Sequence, residues 1–240
     1  MTKRKVKPAQ LAKLKAIDFD KYAKTLFDEA HKGQVHLDIL EGLLKVDPFI
    51  LNQSSMFWRF TIRAHAQVAM MYATKLFDPT DTAFPVPKFF HMGRMRAKEF
   101  APSRENEMLK AIDEGEKRYK KLKPSIVALA RRRNRMYAHI SEELILGTAY
   151  IEKTTVTIGQ IREVLTEATA VLNSLTVLCR GSVTVGYTSS QTSDHEQVIS
   201  LLNEGLCRKA DEQDKEYAQY GGDFKAPRPR NCPRTAREET

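Results

Sequence analysis

Apolar residues recur at helical spacing along most of the chain. Between Asp18 and Asp47 they mark one face of a helix, and Pro48 is expected to end it. Residues 49–77 are the most apolar stretch and carry apolar side chains around most of a helix circumference, so this helix is expected to be central. The first third of the chain therefore predicts two packed helices.

The pattern continues as helices in the rest of the chain. A short helix is expected over about 86–100, after a proline-containing loop, and a charged amphipathic helix over 103–121. Pro124 either kinks that helix or begins a new one. Thr157 is expected to cap a helix over 158–180 that Gly181 closes.

The end of the chain changes in composition. Residues 182–193 are rich in Ser, Thr and Gly and are interpreted as a linker, after which Asp194 starts an amphipathic helix to about 218. The tail from Gly221 has the composition of a disordered segment. The sequence predicts an all-α, up-and-down helical bundle over 18–181, a linker and added C-terminal helix over 182–220, and flexible termini at 1–17 and 221–240.

Positive charge is concentrated in two places. The chain has 39 Lys and Arg against 30 Asp and Glu, a formal charge of +9. The N-terminal arm is basic up to Asp18, and Lys117 to Arg135 contains nine basic residues and no acid. Local basic runs favour a polyanion such as RNA as partner, although a solvated helix face is the simpler explanation for the N-terminal run.

Cysteine spacing and hydropathy argue against a disulfide-rich, zinc-binding, secreted or membrane-spanning protein. Cys179, Cys207 and Cys232 are widely spaced, so neither a disulfide framework nor a zinc site is expected. The basic N-terminus lacks the apolar centre of a signal peptide, and no apolar run approaches membrane-spanning length. We therefore expect a soluble cytoplasmic protein that does not bind a membrane, with no cofactor and no metal.

A cluster of arginines and one histidine is the candidate for chemistry. Arg131 to Arg133, Asn134 and Arg135 are followed by Met136-Tyr137-Ala138-His139. Arginine binds phosphate through a planar fork of donors, and histidine transfers protons near neutral pH. These are the side chains that phosphate chemistry needs when no metal takes part.

The segment from Arg133 to His139 resembles the signature of the HEPN superfamily. In that signature an Arg followed by a polar residue precedes a His by a few positions, and here five residues intervene. The helical layout, including Lys75-Leu76-Phe77-Asp78 at the end of an apolar helix, resembles the abortive-infection (AbiU-like) branch. The resemblance covers about residues 20–180.

The resemblance implies a bundle that forms a homodimer with a composite active site. Many members are metal-independent endoribonucleases of toxin–antitoxin or phage-defence systems, which cleave RNA through attack of its own 2′-hydroxyl. Carried over by position, His139 would transfer protons, Arg133 would bind the phosphate and Asn134 would orient both groups. An antitoxin protein is a possible partner, but Ser141 stands where one branch carries a modified tyrosine.

Helix geometry does not decide which arginine acts together with His139. Residues six apart point about 120° from one another on an ideal helix, whereas Arg132 and Arg135 would share the face of His139. Either the helix ends or bends near His139, or a second subunit completes the cleft, or Arg132 or Arg135 replaces Arg133. Other expected substrate contacts are Lys120, Lys121 and Lys123. The alternatives to catalysis are a non-catalytic RNA-binding or protein-interaction module, and a histidine and arginines that only complete a helix end.

Overall fold

In a computed structural model of the protein, every described element of secondary structure is a helix. The structure describes residues 18–78, 80, 83, 85–134, 156–181, 194–222 and 225–232. Its helices are α1 (Phe19–Leu43), α2 (Pro48–Asn52), α3 (Ser55–Lys75), α4 (Val86–Met95), α5 (Ala97–Phe100), α6 (Glu105–Arg133), α7 (Ile158–Arg180) and α8 (Asp194–Gln219). The described part is an all-α helical bundle, as the apolar pattern predicts.

Local sequence signals account for the ends of several helices. Thr157 caps α7 through a capping box with Gln160, and Gly181 ends the helix with a φ of 69°, a left-handed conformation that glycine adopts readily. Both predicted signals are therefore confirmed. Pro48 does not end the first helix but opens α2, because Asp47 caps α2 by accepting a hydrogen bond from the Phe49 N–H.

Helix α6 resolves the question that Pro124 raises. It runs without interruption from Glu105 to Arg133, with Pro124 inside it. A proline in a helix interior removes one backbone hydrogen bond. Leu122, Ile126 and Leu129 are buried on both sides of that point. Their burial favours the continuous helix over a break.

Contacts divide the chain into two compact units. The first comprises residues 1–37 and 66–188, and the second residues 38–65 and 189–240. In the first unit α6 packs most extensively against α7 and then α4. Gly115 permits this approach, because a Cβ there would lie 2.8 Å from the Phe90 ring. The most deeply buried large side chains all belong to this unit and include Phe89, Phe90, Met108, Ile112, Leu129 and Leu172.

The second unit exposes more apolar surface than the sequence pattern predicts. The N-terminal half of α3 belongs to it, and Phe57 and Phe60 there are 61% and 59% exposed. The expectation that residues 49–77 form one central helix is therefore wrong for this half, and Gln53 and Ser54 separate α2 from α3. An apolar cavity of about 450 Å³ lies in this unit between α2, α3 and α8, and Trp58 and Leu202 are among its lining residues.

The segment after α8 differs from the expected disordered tail. Residues 225–232 fold back on α8, where Ala226 and Cys232 are buried. The sulfur atoms of Cys207 and Cys232 are paired, with their Cα atoms 5.6 Å apart. The expectation of no disulfide is therefore corrected. The two cysteines are 25 residues apart in the sequence, and this spacing alone does not indicate a pair. Tertiary contacts of the segment bring them together.

Candidate functional site

The candidate site lies where α6 ends. Helical conformation continues through Asn134, whose backbone N–H bonds to the carbonyls of Ala130 and Arg131. Ile126 and Leu129 anchor this last part of the helix in the core. Arg133 lies about 20° round the helix from Ile126, as expected from 3.6 residues per turn. The motif arginine therefore starts from the core-facing side of α6.

Arg133 is held by side chains from two elements. Its Nε donates a hydrogen bond of 3.0 Å to Asn134 Oδ1. Its Nη1 lies 3.5 Å from both Thr74 Oγ1 and Asp78 Oδ2, at the outer limit of hydrogen bonding. The side chain of Arg133 is 24% exposed. The guanidinium is thus oriented by its sequence neighbour and by the end of α3, with part of it open to solvent.

Asp78 is the acidic partner of this arginine. Its Oδ1 accepts a hydrogen bond of 2.9 Å from the Thr80 N–H, which fixes the carboxylate just after α3. Partial burial acts to raise the pKa of Asp78, but the hydrogen bonds from Thr80 and the charge of Arg133 outweigh it and hold this pKa below its ordinary value. Asp78 therefore stays ionised beside Arg133.

The three α6 lysines that were expected to contact substrate do not gather around Arg133. Lys120, Lys121 and Lys123 are exposed. Lys120 and Lys121 lie about 120–140° round the helix from Arg133 and roughly 18–20 Å along its axis. Lys123 is nearer, at about 80° and roughly 15 Å. Within one chain, Lys120 and Lys121 therefore cannot contact the phosphate that Arg133 would bind.

The remaining motif residues divide between described and undescribed positions. Arg132 is half-buried next to Arg133. Arg135 and His139 lie outside the described residues, as do Ser141 and the rest of 135–155. The structure therefore brings Arg133 and Asn134 together, and the placement of His139 stays a prediction.

Asp78 and Thr74 are the residues that the sequence does not single out. Asp78 lies 55 positions before Arg133, so no local spacing links the two. The chain segment that ends at Asp78 contributes to the family resemblance without indicating a role for the carboxylate. Only the packing of α3 against the end of α6 shows that they meet.

Two further features of the described part bear on the site. No group of three or more His, Cys, Asp or Glu side chains among the described residues has the arrangement of a metal site. Among the helices described, none combines the length and apolar character that crossing a membrane requires.

Comparison with known families identifies the chain. The family model HEPN_AbiU2, described as AbiU2, matches residues 45–199, well over half of the 240 residues. The chain belongs to the AbiU2 family of HEPN proteins. This confirms the expected superfamily and its abortive-infection branch, and it agrees with the all-α bundle.

The AbiU2 match differs in extent from the resemblance seen in the sequence. It starts within the turn after α1 and continues through the 182–193 stretch into α8, where the resemblance was expected over about 20–180. It includes Asp78, Arg133, Asn134 and His139. No curated protein and no solved structure matches the chain.

Replacing Asp78 by asparagine is expected to destabilise this AbiU2-family protein by about 1 kcal/mol at pH 7, because a hydrogen-bonded carboxylate beside Arg133 is lost. Because the pKa of Asp78 is lower in the folded state, its ionised carboxylate stabilises the fold fully at pH values above the ordinary Asp pKa. This stabilisation is lost as the pH falls through the lowered pKa of Asp78. Urea unfolding should therefore show the difference at pH 7 but a much smaller one at about pH 3.

The control for Asp78→Asn is Glu114→Gln, a similar loss of charge at an exposed position of α6. It is expected to change the free energy of unfolding by less than about 0.5 kcal/mol. A destabilisation by Asp78→Asn that is equal at both pH values would contradict the ion pair with Arg133.

Proposed function

We propose that this protein is a metal-independent endoribonuclease of the HEPN type that cleaves RNA through attack of the substrate's 2′-hydroxyl. The observation that carries the proposal is the placement of Arg133, which a neighbouring amide and the end of α3 orient while part of it faces solvent. Membership of the AbiU2 family supports a role in abortive infection, as a toxin or phage-defence factor.

Arg133 supplies the phosphate-binding group in this proposal. A guanidinium fixed before substrate arrives can bind the scissile phosphate and stabilise the negative charge that grows on it in the transition state. Asn134 restrains the Nε edge, and Asp78 and Thr74 restrain Nη1. Asp78 is therefore proposed as a positioning residue for Arg133.

His139 supplies proton transfer. The 2′-hydroxyl must lose a proton to attack phosphorus, and the 5′-oxygen must gain one to leave, so a group that titrates near neutral pH suits both steps. The expected products are a 2′,3′-cyclic phosphate and a 5′-hydroxyl. In the proposal the protein works without a cofactor.

Two subunits are proposed to share each cleft. Arg133 and His139 would point about 120° apart on one ideal helix, so the histidine of one subunit is expected to meet the arginine of the other. A homodimer with a composite site predicts that mixing Arg133→Ala and His139→Ala chains restores cleavage. Each mixed dimer would then contain one site with both wild-type groups. Mixed dimers as inactive as either parent would contradict the composite site.

Cleavage of single-stranded RNA in EDTA tests the catalytic proposal. The wild-type protein is expected to cut the RNA, whereas His139→Ala is expected to cut it roughly 100- to 10,000-fold more slowly. Absence of cleavage by the wild type, or equal cleavage by His139→Ala, would overturn the assignment. An antitoxin protein, where one exists, is proposed to act on this same activity, in the cytoplasm.

Lys120, Lys121 and Lys123 are proposed to bind the RNA backbone away from the scissile phosphate. Replacing all three with alanine should weaken RNA binding uniformly across sequences. It should also reduce the slope of log affinity against log salt by about 2, from roughly 0.7 per phosphate contact on single strands. Titrations of a fluorescent RNA over a range of salt concentrations measure both quantities.

A matched triple variant separates this local contact from net charge. Lys21, Lys24 and Lys98 are exposed in the first unit outside α6, and their replacement by alanine removes the same charge. This variant is expected to keep most of the affinity and of the salt slope. Equal losses in the two triple variants would show that general charge, and not the α6 lysines, governs binding.

A non-catalytic RNA-binding module is the second candidate, and the ion pair between Arg133 and Asp78 favours it. In that case the arginine completes the packing between α3 and α6, and the basic residues of α6 bind RNA. A wild-type protein that binds RNA in EDTA without cutting it, and whose affinity is unchanged by His139→Ala, would favour this function.

A further inference from the structure

The chain segment 225–232 is attached to α8 by charged side chains. The Arg228 guanidinium, whose side chain is 10% exposed, pairs with Asp211 at 2.9 Å and with Asp214 at 2.5 Å. The Ala226 N–H donates a hydrogen bond of 2.6 Å to the other oxygen of Asp214. A nearly buried arginine with two carboxylates is a specific contact rather than a surface pairing. Specific contacts therefore hold the segment against α8.

The same segment reaches the start of α2. The Arg230 N–H donates a hydrogen bond of 2.7 Å to Asp47 Oδ2, while Asp47 Oδ1 caps α2. This bond from Arg230, followed by the one from Phe49, holds the pKa of Asp47 below its ordinary value. The segment thus joins α8 and α2, both within the second unit.

These contacts place Cys232 against Cys207. Their Cα atoms are 5.6 Å apart, within the range that a disulfide requires. Cys232 is 8% exposed, and Cys207 is partly exposed on α8. Because the ion pairs and hydrogen bonds do not involve sulfur, they can hold the two residues together in the thiol state as well as in the disulfide state.

We propose that Cys207 and Cys232 form a reversible thiol–disulfide switch that fixes segment 225–232 to α8. Oxidation adds a covalent link to contacts that already exist, and reduction leaves the ion pairs of Arg228 and the backbone hydrogen bonds of Ala226 and Arg230 in place. The oxidised segment would then open less often. The inference is independent of the proposed ribonuclease activity.

Glutathione disulfide can supply the oxidising equivalents. The Cys207 thiolate, on the more accessible cysteine, attacks one sulfur of glutathione disulfide, and the first glutathione leaves as a thiolate. The Cys232 thiolate then attacks the Cys207 sulfur of this mixed disulfide and expels the second glutathione. Two protein thiols are oxidised, one glutathione disulfide is reduced to two glutathione molecules, and the thiol protons end on the glutathiones.

Cys179 provides an internal reference for the switch. It is a free, half-buried cysteine on α7. Burial raises the pKa of its thiol to about 11, with Asp20 contributing in the same direction. A thiol that is mostly protonated near pH 7 is a weak nucleophile, so Cys179 is expected to remain reduced when Cys207 and Cys232 are oxidised.

The full-length protein equilibrated in glutathione buffers of graded potential tests the switch. Samples are quenched with acid, denatured and alkylated, and the intact mass reports how many thiols remain. Oxidising buffer should leave one alkylated cysteine, Cys179, and reducing buffer should leave three. Hydrogen exchange in the peptide that contains 225–232 should be several-fold slower in the oxidised state, since closed segments protect their amides.

Two variants keep this test decisive. Cys207→Ser should leave Cys232 reduced and should abolish the difference in exchange between the two buffers. In the Arg228→Ala variant the disulfide should form roughly 10-fold more slowly, because the ion pairs that bring the two thiols together are lost. Three alkylated cysteines after oxidation, a disulfide that includes Cys179, or equal exchange in the two states of the wild type would overturn the proposal.

Discussion

Replacing Arg133 by alanine is expected to lower the rate of RNA cleavage by about 100- to 1,000-fold, the range seen when one preorganised donor to a developing charge is removed. The reason is local. Asn134, Thr74 and Asp78 contact the guanidinium before substrate binds, so in the proposed reaction it has little reorganisation to complete when the phosphate arrives. Single-turnover cleavage of a defined RNA, with protein in excess, measures the chemical step directly.

Arg131→Ala is the matched control for this result. Arg131 belongs to the same turn of α6 but is exposed, about 160° round the helix from Arg133. Its loss is expected to change the cleavage rate by no more than about threefold, the size of a surface charge effect. Equal losses in the two variants, or a full rate in Arg133→Ala with unchanged stability, would show that Arg133 is not the phosphate-binding group.

Replacing Phe89 by alanine is expected to cost about 3–5 kcal/mol of folding free energy, a large part of the 5–15 kcal/mol that typical domains possess. Phe89 on α4 is fully buried. Its ring centroid lies 4.8 Å from that of Phe19 and 5.2 Å from that of Tyr22, so truncation removes aromatic contacts and leaves a cavity between α1 and α4. Urea unfolding followed by circular dichroism measures the loss.

Phe60→Ala is the corresponding control for burial. Phe60 is 59% exposed on α3, so the same truncation should change the free energy of unfolding by less than about 0.5 kcal/mol. Comparable losses for Phe60→Ala and Phe89→Ala would mean that the packing of the first unit is not as described.

Local signals in the sequence predict much of this fold. The helix over 158–180 is predicted with both of its ends, because a capping box with Thr157 and a terminal glycine are signals that neighbouring residues supply. The apolar periodicity also predicts the all-α class. At Pro124 the local rule for proline leaves two possibilities, and the buried positions of Leu122, Ile126 and Leu129 decide for a continuous helix.

The parts that the sequence does not predict depend on tertiary contacts. The seven-residue signature indicates Arg133 and Asn134, but nothing local indicates that Asp78 and Thr74 meet them. Lys120, Lys121 and Lys123 are predicted as one group with Arg133, whereas helix geometry places Lys120 and Lys121 on another side of α6. Likewise, Cys207 and Cys232 are paired because contacts of Arg228 and Arg230 hold segment 225–232 against α8 and the start of α2.

The ends of the RNA fragments produced by the wild-type protein in EDTA test the central claim most directly. Attack by the substrate's own 2′-hydroxyl predicts fragments with a 2′,3′-cyclic phosphate and a 5′-hydroxyl. It also predicts no cut where a single 2′-deoxynucleotide precedes the scissile phosphate. Fragments with a 3′-hydroxyl and a 5′-phosphate, cleavage at the deoxy position, or RNA left intact would contradict the account.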